Sequence, residues 1–319
     1  MGTLLEIKGL KKYFPIRSKK LFNRTVEYVK AVDDVSFTIE EGETLGLVGE
    51  SGCGKSTTGR SAIRLIEPTE GEIIFDKKNL CQLSTRELRE TRKDLQIVFQ
   101  DPYASLNPRK TVGATLEEPL IIHGVPKSER KKKVEEILEV VGLTSYHSGA
   151  YPHEFSGGQR QRIGIARALI TRPKLVVADE PVSALDVSIQ SQILNLMKDL
   201  QDQFKLTYLF ISHNLSVIRH VSDRIGVMYL GRLVEIAPKA ELYNNVCHPY
   251  TEALLSAAPN LNPRVKAERI LLKGDIPNPV NPPSGCAFHT RCHKCMEVCK
   301  TDRPELREVS PGHFVACHL

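Results

Sequence analysis

Three stretches of this 319-residue chain carry side chains whose types and spacing could do chemistry. The first is Gly49-Glu50-Ser51-Gly52-Cys53-Gly54-Lys55-Ser56-Thr57. Its glycines let the backbone wrap so that successive amide N–H groups face an anion. Lys55 can reach outer phosphates, and the Ser56 hydroxyl can ligate magnesium. This is the P-loop pattern for a nucleoside triphosphate, with Gly49, Ser51, Gly52, Cys53, Gly54, Lys55, Ser56 and Thr57 as its expected contacts and Cys53 as a small loop residue. The second is Asp179-Glu180. One carboxylate at a strand end would hold Mg²⁺, and the next would orient the attacking water as general base. The third, GCAFHTRCHKCMEVCK from Gly285 to Lys300, crowds four cysteines into one short segment.

These groups need elements to hold them. Thr44 to Val48 reads as a buried strand running straight into the P-loop, with a helix after it. Leu175 to Ala178 is apolar at every side chain, as a central parallel strand covered on both faces should be. Phe155-Ser156-Gly157-Gly158-Gln159-Arg160 predicts a helix capped by Ser156, and its two glycines leave the first amides open to a second anion. Another apolar strand ends at Phe210-Ile211-Ser212-His213, and Gly226 to Glu235 reads as a hairpin. In the basic run Arg130 to Lys133, the charges precede Val134, Ile137, Leu138 and Val141 at helical spacing. They therefore predict the outer face of an amphipathic helix.

Taken in order, these motifs resemble the ATPase subunits of ABC transporters over nearly the whole chain. Gln100 in Val98-Phe99-Gln100-Asp101-Pro102 matches that family's Q-loop. Ser156-Gly157-Gly158-Gln159 matches the signature, with Phe155 where leucine is usual. Ser183-Ala184-Leu185-Asp186 matches the D-loop and His213 the switch histidine. The resemblance implies an α/β, RecA-like P-loop ATPase core with an antiparallel β subdomain, a helical subdomain at about 101–172 and a small Cys-rich C-terminal extension. It implies that Gln100 joins Ser56 and Asp179 around Mg²⁺ and that His213 contacts the γ-phosphate. It also implies that Ser156, Gly157, Gly158, Gln159 and Asp186 act on nucleotide held by another subunit in a head-to-tail dimer. Phe14 aligns with the aromatic position that stacks on adenine, with Tyr13 as its neighbour and competitor.

Asp101-Pro102-Tyr103-Ala104-Ser105-Leu106-Asn107-Pro108-Arg109 and His248-Pro249-Tyr250-Thr251-Glu252-Ala253-Leu254-Leu255 resemble the dipeptide/oligopeptide importer branch. That branch implies a second ATPase subunit, homologous or identical, two transmembrane permease subunits and an extracytoplasmic peptide-binding protein. Nickel or another small solute is the alternative cargo. A soluble ABC ATPase working on ribosomes or nucleic acid is the alternative class. One P-loop and no inserted coiled coil favour transport. The formal net charge of +6 comes largely from local runs, so no nucleic-acid partner is expected. One such run, a basic insertion at 17–28, has no assigned role.

No apolar run approaches the length of a membrane span, and Met1 to Lys8 lacks an export signal. The chain is therefore expected at the cytoplasmic face of the membrane as a peripheral subunit, where disulfides do not persist. Five of the eight cysteines lie beyond the Pro-rich stretch Asp275 to Pro283. This shift suggests domains 1–258 and 259–319, with a metal supplying cross-links that so short a tail otherwise lacks. Zinc and an iron–sulfur cluster both suit the thiols. The importer extension resembles this tail at Cys286, Cys292, Cys299 and Cys317, which implies a 4Fe–4S cluster. Cys295 is extra, and zinc completed by His289, His293 or His318 stays open.

Overall fold

The computed structural model describes residues 2–17, 26–257 and 269–319. Most of the basic insertion at 17–28 lies outside the described residues, as does the expected boundary at 258/259. Contacts divide the chain into two compact units. One comprises Glu40–Glu43 and Gln82–Phe210, the other Gly2–Ile39, Thr44–Cys81 and Ile211–Leu319.

The second of these units begins with a sheet in the order Val26–Glu40, Thr3–Arg17, Glu70–Phe75, Lys78–Asn79. Thr3–Arg17 runs antiparallel to Glu70–Phe75 with Leu5 opposite Phe75. Leu5 and Ile7 are buried, Glu6 is half-buried and Lys8 exposed, the alternation of a strand with one face on a core, before the register shifts between Lys8 and Lys11. Thr44–Val48, buried at every residue, pairs in parallel with Arg224–Tyr229. The expected hairpin then joins Arg224–Tyr229 to Arg232–Pro238 with Arg232 opposite Tyr229. Its two-residue turn has Leu230 at φ 45° and Gly231 at φ 81°, the positive pair whose twist matches that of the flanking strands.

The tail goes further than its composition suggested. His313–Val315 pairs antiparallel with Arg232–Pro238, Glu235 facing Val315, and Arg307–Ser310 adds one more strand. Glu235 is fully buried and accepts hydrogen bonds from Cys247 N (2.9 Å), His248 N (3.2 Å) and His313 Nε2 (2.8 Å). These donors satisfy a charge that would otherwise be costly inside the protein. Phe288 is buried against Tyr229, Tyr250 and His248. Strand pairing and an aromatic anchor, neither of which the tail's composition announces, seat it on the Arg232–Pro238 strand and against Tyr229 and Tyr250.

In the other unit the strands run Thr207–Ile211, Leu175–Asp179, Leu95–Val98, the last two parallel with Leu95 facing Leu175. Both Thr207–Ile211 and Leu175–Asp179 are buried throughout, as their unbroken apolar runs predict. Helices Val112–Ile122, Lys127–Val140 and Gly157–Leu169 fall within the expected helical subdomain. Val134, Ile137, Leu138 and Val141 are buried and Lys131 and Lys132 exposed, so the basic run is a solvated face. Among the described residues no helix is long and apolar enough to cross a membrane.

Candidate functional site

The loop after Thr44–Val48 has the shape its glycines demand. Gly54 caps helix Lys55–Ala62 at φ 103°, and a Cβ there would run into the Ala31 carbonyl oxygen; one at Gly49 would strike the carbonyl oxygen of Met228. Lys55 is buried, its ammonium donating to the carbonyls of Gly49 (2.8 Å) and Glu50 (3.0 Å). Ser51 and Gly52 are exposed at the crest, and Ser56 and Thr57 are half-buried on the first helical turn. Cys53 is buried, and burial pushes its thiol up against the opposing pull of Lys55. In the same unit His213 is exposed, two residues beyond strand Thr207–Ile211 and just ahead of helix Leu215–Val221.

Tyr13 and Phe14 separate clearly. The Tyr13 hydroxyl donates to Asp33 Oδ1 at 2.5 Å, and Arg232 forks onto Asp33 Oδ2. Burial alone would raise the Asp33 carboxyl, but the bonds from Tyr13 and Arg232 outweigh it and hold the group below its usual range. Phe14 is 37% exposed, with the Lys12 ammonium 5.0 Å from its ring centroid. Tyr13 is thus committed to a polar network, and Phe14 offers the open ring.

In the Glu40–Glu43/Gln82–Phe210 unit, strand Leu175–Asp179 ends on a fully buried Asp179. Glu180 follows with φ 49°, a left-handed conformation unusual for a side-chain-bearing residue. Pro181 disfavours the right-handed helical region for the residue before it, and a turn in which Ser183 N donates to Glu180 O at 3.3 Å fixes the bend. The exposed Gln100 donates from Nε2 to Glu180 Oε2 at 3.2 Å, bringing together two predicted residues. Local strain at such a position is characteristic of functional sites.

Ser156 forms the expected cap. Its hydroxyl accepts from Gln159 N at 3.3 Å, and Gln159 Oε1 accepts from Ser156 N at 3.0 Å. A Cβ at Gly158 would stand 2.6 Å from Ile189 Cγ2, so the second glycine is required for close approach of the helix that follows Asp186. Asp186 is exposed at the start of helix Val187–Phe204 and makes no side-chain cap bond.

Cys286, Cys292, Cys299 and Cys317 line one small cavity in the tail, together with His289 and His318. Burial pushes the Cys286 thiol up to about 11; the Phe288 amide opposes this, and the Cys317, Cys299 and Cys292 thiols add to it. Cys295 is exposed and does not line the cavity, and His293 lies instead 3.6 Å from Glu252. A tetrahedral zinc would need thiolates about 3.8 Å apart. Among the described residues, the one trio of potential ligands with all atoms within 4.8 Å is Glu235, Cys247 and His313. No three tail thiols among the described residues are that close.

The same segment holds a contact absent from the sequence reading. Arg291 forks onto Glu50 of the P-loop, Nη1 to Oε2 at 2.7 Å and Nη2 to Oε1 at 3.0 Å. Tyr250, in the His248 to Leu255 stretch, accepts the Glu50 amide proton on its hydroxyl at 2.9 Å. The signal was available: a carboxylate inside an anion cradle calls for a counter-charge.

Comparison with known proteins gives the family. Residues 32–183 match the family described as ABC transporter, and residues 234–299 match the oligopeptide/dipeptide transporter C-terminal region. The chain is 61% identical to the oligopeptide transport ATP-binding protein AppF of Bacillus subtilis, over 99% of this chain and 97% of that protein. It is 53% identical to the dipeptide transport ATP-binding protein DppF of Haemophilus influenzae, over 98% of this chain and 96% of that protein. A dimeric, post-hydrolysis structure of the ATP-binding cassette MJ0796 bound to ADP and Pi overlays with TM-score 0.65 at 30% identity. It covers 74% of this chain and 99% of that one. The chain belongs to the ATP-hydrolysing, ATP-binding subunits of ABC transporters, in the oligopeptide/dipeptide branch.

Proposed function

We propose that this chain drives import of dipeptides or oligopeptides, working with a second homologous or identical ATPase, two transmembrane permeases and an extracytoplasmic binding protein at the cytoplasmic face of the membrane. The observation that carries the cargo class is the likeness to an oligopeptide transport protein over both the cassette and the C-terminal region. Reconstitution with the permeases and binding protein tests it. Peptide-loaded binding protein is expected to stimulate ATP hydrolysis; stimulation by a nickel complex and not by peptide would reassign the cargo.

Within the ATPase, Lys55 and the loop residues Gly49, Ser51, Gly52, Cys53, Gly54, Ser56 and Thr57 hold the phosphates, and Phe14 stacks on adenine. Ser156, Gly157, Gly158, Gln159 and Asp186 act on nucleotide bound by the partner cassette. Glu180 orients and deprotonates water, positioned by Gln100, and His213 meets the γ-phosphate. Magnesium would be held by Ser56, Gln100 and Asp179, a hydroxyl, an amide and a buried carboxylate whose oxygens suit a hard cation. When bound it neutralises charge on the β- and γ-phosphate oxygens.

We assign residues 1–258 to the cassette and 259–319 to the importer extension. Cys286, Cys292, Cys299 and Cys317 would hold a 4Fe–4S cluster, supported by their shared cavity and wide spacing. Such a cluster supplies covalent cross-links to a segment with little regular structure. Protein purified without oxygen is expected to be brown, with about four irons per chain and a visible iron–thiolate absorption. Colourless protein holding one zinc per chain would overturn the assignment. Cys295→Ser is expected to leave the iron content unchanged and Cys299→Ser to abolish it.

A further inference from the structure

The P-loop of this chain carries a carboxylate in a place built to attract anions. Glu50 follows the first glycine of the loop, and its backbone carbonyl already holds the Lys55 ammonium. An ionised side chain there repels the phosphates the loop must receive, and the repulsion is strong where the site is partly screened from water. The carboxylate is answered from the far end of the chain. Both Arg291 terminal nitrogens reach its two oxygens, with the Arg291 side chain only 7% exposed and that of Glu50 25% exposed. Arg291 cannot swing freely. Its amide donates to Phe288 O at 3.0 Å, Phe288 is locked among Tyr229, Tyr250 and His248, and its guanidinium lies 5.9 Å from the Tyr229 ring centroid.

We propose that Arg291 is a nucleotide-positioning residue: by forking onto Glu50 it cancels the loop's own negative charge and fixes the loop crest, so that the Cys-rich tail completes the phosphate site. This rests on the reading of residues 49–57 as the phosphate cradle. Arg291 sits beside Cys292, so whatever orders the thiol segment also sets the charge balance at the phosphates.

A charge-rescue cycle on the full-length chain tests it, with equilibrium binding of Mg-ATP as readout and thermal melting as control. Arg291→Ala is expected to weaken Mg-ATP binding about tenfold or more, the effect of losing charge-assisted hydrogen bonds and exposing the carboxylate. Glu50→Gln alone is expected to bind at least as well as the unaltered chain. Arg291→Ala combined with Glu50→Gln is expected to recover most of the affinity, because the repelling charge is gone. A purely structural arginine predicts no such recovery. Unchanged affinity in Arg291→Ala, or a double variant that melts normally yet binds as weakly as Arg291→Ala, would overturn the proposal. Should alanine unfold the tail, Arg291→Lys keeps the charge but loses the fork; it is expected to give an intermediate loss that Glu50→Gln relieves, and full affinity would overturn the idea equally. Normal binding by Lys55→Ala would instead overturn the cradle reading, so the two failures are distinguishable.

Discussion

Glu180→Gln is expected to lower ATP turnover by about two to four orders of magnitude, the usual contribution of a positioned general base. Nucleotide affinity should stay close to that of the unaltered chain. The substitution keeps the shape of the side chain and an oxygen to accept the 3.2 Å hydrogen bond from Gln100, so the local geometry survives. What it removes is basicity: an amide cannot take the proton of the attacking water. ATP would then bind and persist, and a cassette that closes head-to-tail around ATP should accumulate as a stable pair. Phosphate release measures the first effect, and size-exclusion chromatography with Mg-ATP the second. Turnover within about tenfold of normal would place the base elsewhere. The left-handed backbone at Glu180 adds a second expectation. Glu180→Gly should relieve strain while losing activity, raising thermal stability slightly in the inactive protein.

The parts of this site legible in the sequence are those in which each residue answers to its neighbours. In the loop from Gly49 to Thr57, Gly49 and Gly54 answer close approaches by the Met228 and Ala31 carbonyls and Gly52 a φ of 78°, and the strand and helix on either side announce themselves by pattern. The Ser156 cap and its Gln159 partner are three residues apart and equally readable. Gln100 and Glu180 were legible as separate motifs, but their hydrogen bond spans 80 positions, and spacing carries no information about it. The Arg291–Glu50 pair spans 241 positions and was missed altogether. The tail strands escaped for another reason. Arg307–Ser310 and His313–Val315 are too short to display a period-two pattern, and Arg307–Ser310 is exposed along most of its length. Their pairing is dictated by the Arg232–Pro238 strand they join, not by their own composition.

Lys55→Ala should also cripple the enzyme, for a different physical reason. The ammonium is buried and holds two loop carbonyls, Gly49 O at 2.8 Å and Glu50 O at 3.0 Å. It is a compact charge on a flexible stem, so it can leave those carbonyls for phosphate oxygens when nucleotide arrives. Alanine removes both the charge that meets the phosphates and the pin that holds the Gly49 and Glu50 carbonyls. Turnover by the assembled transporter is expected to fall about a hundredfold or more, the scale seen when one preorganised electrostatic donor is lost. Unlike Glu180→Gln, this variant should fail to bind Mg-ATP and should form no trapped pair. Combining the two orders the events: binding precedes water attack, so Lys55→Ala with Glu180→Gln should behave as Lys55→Ala alone, without trapping. A trapped pair in the double variant would mean that the phosphates are held without Lys55, and that the amides of the loop suffice.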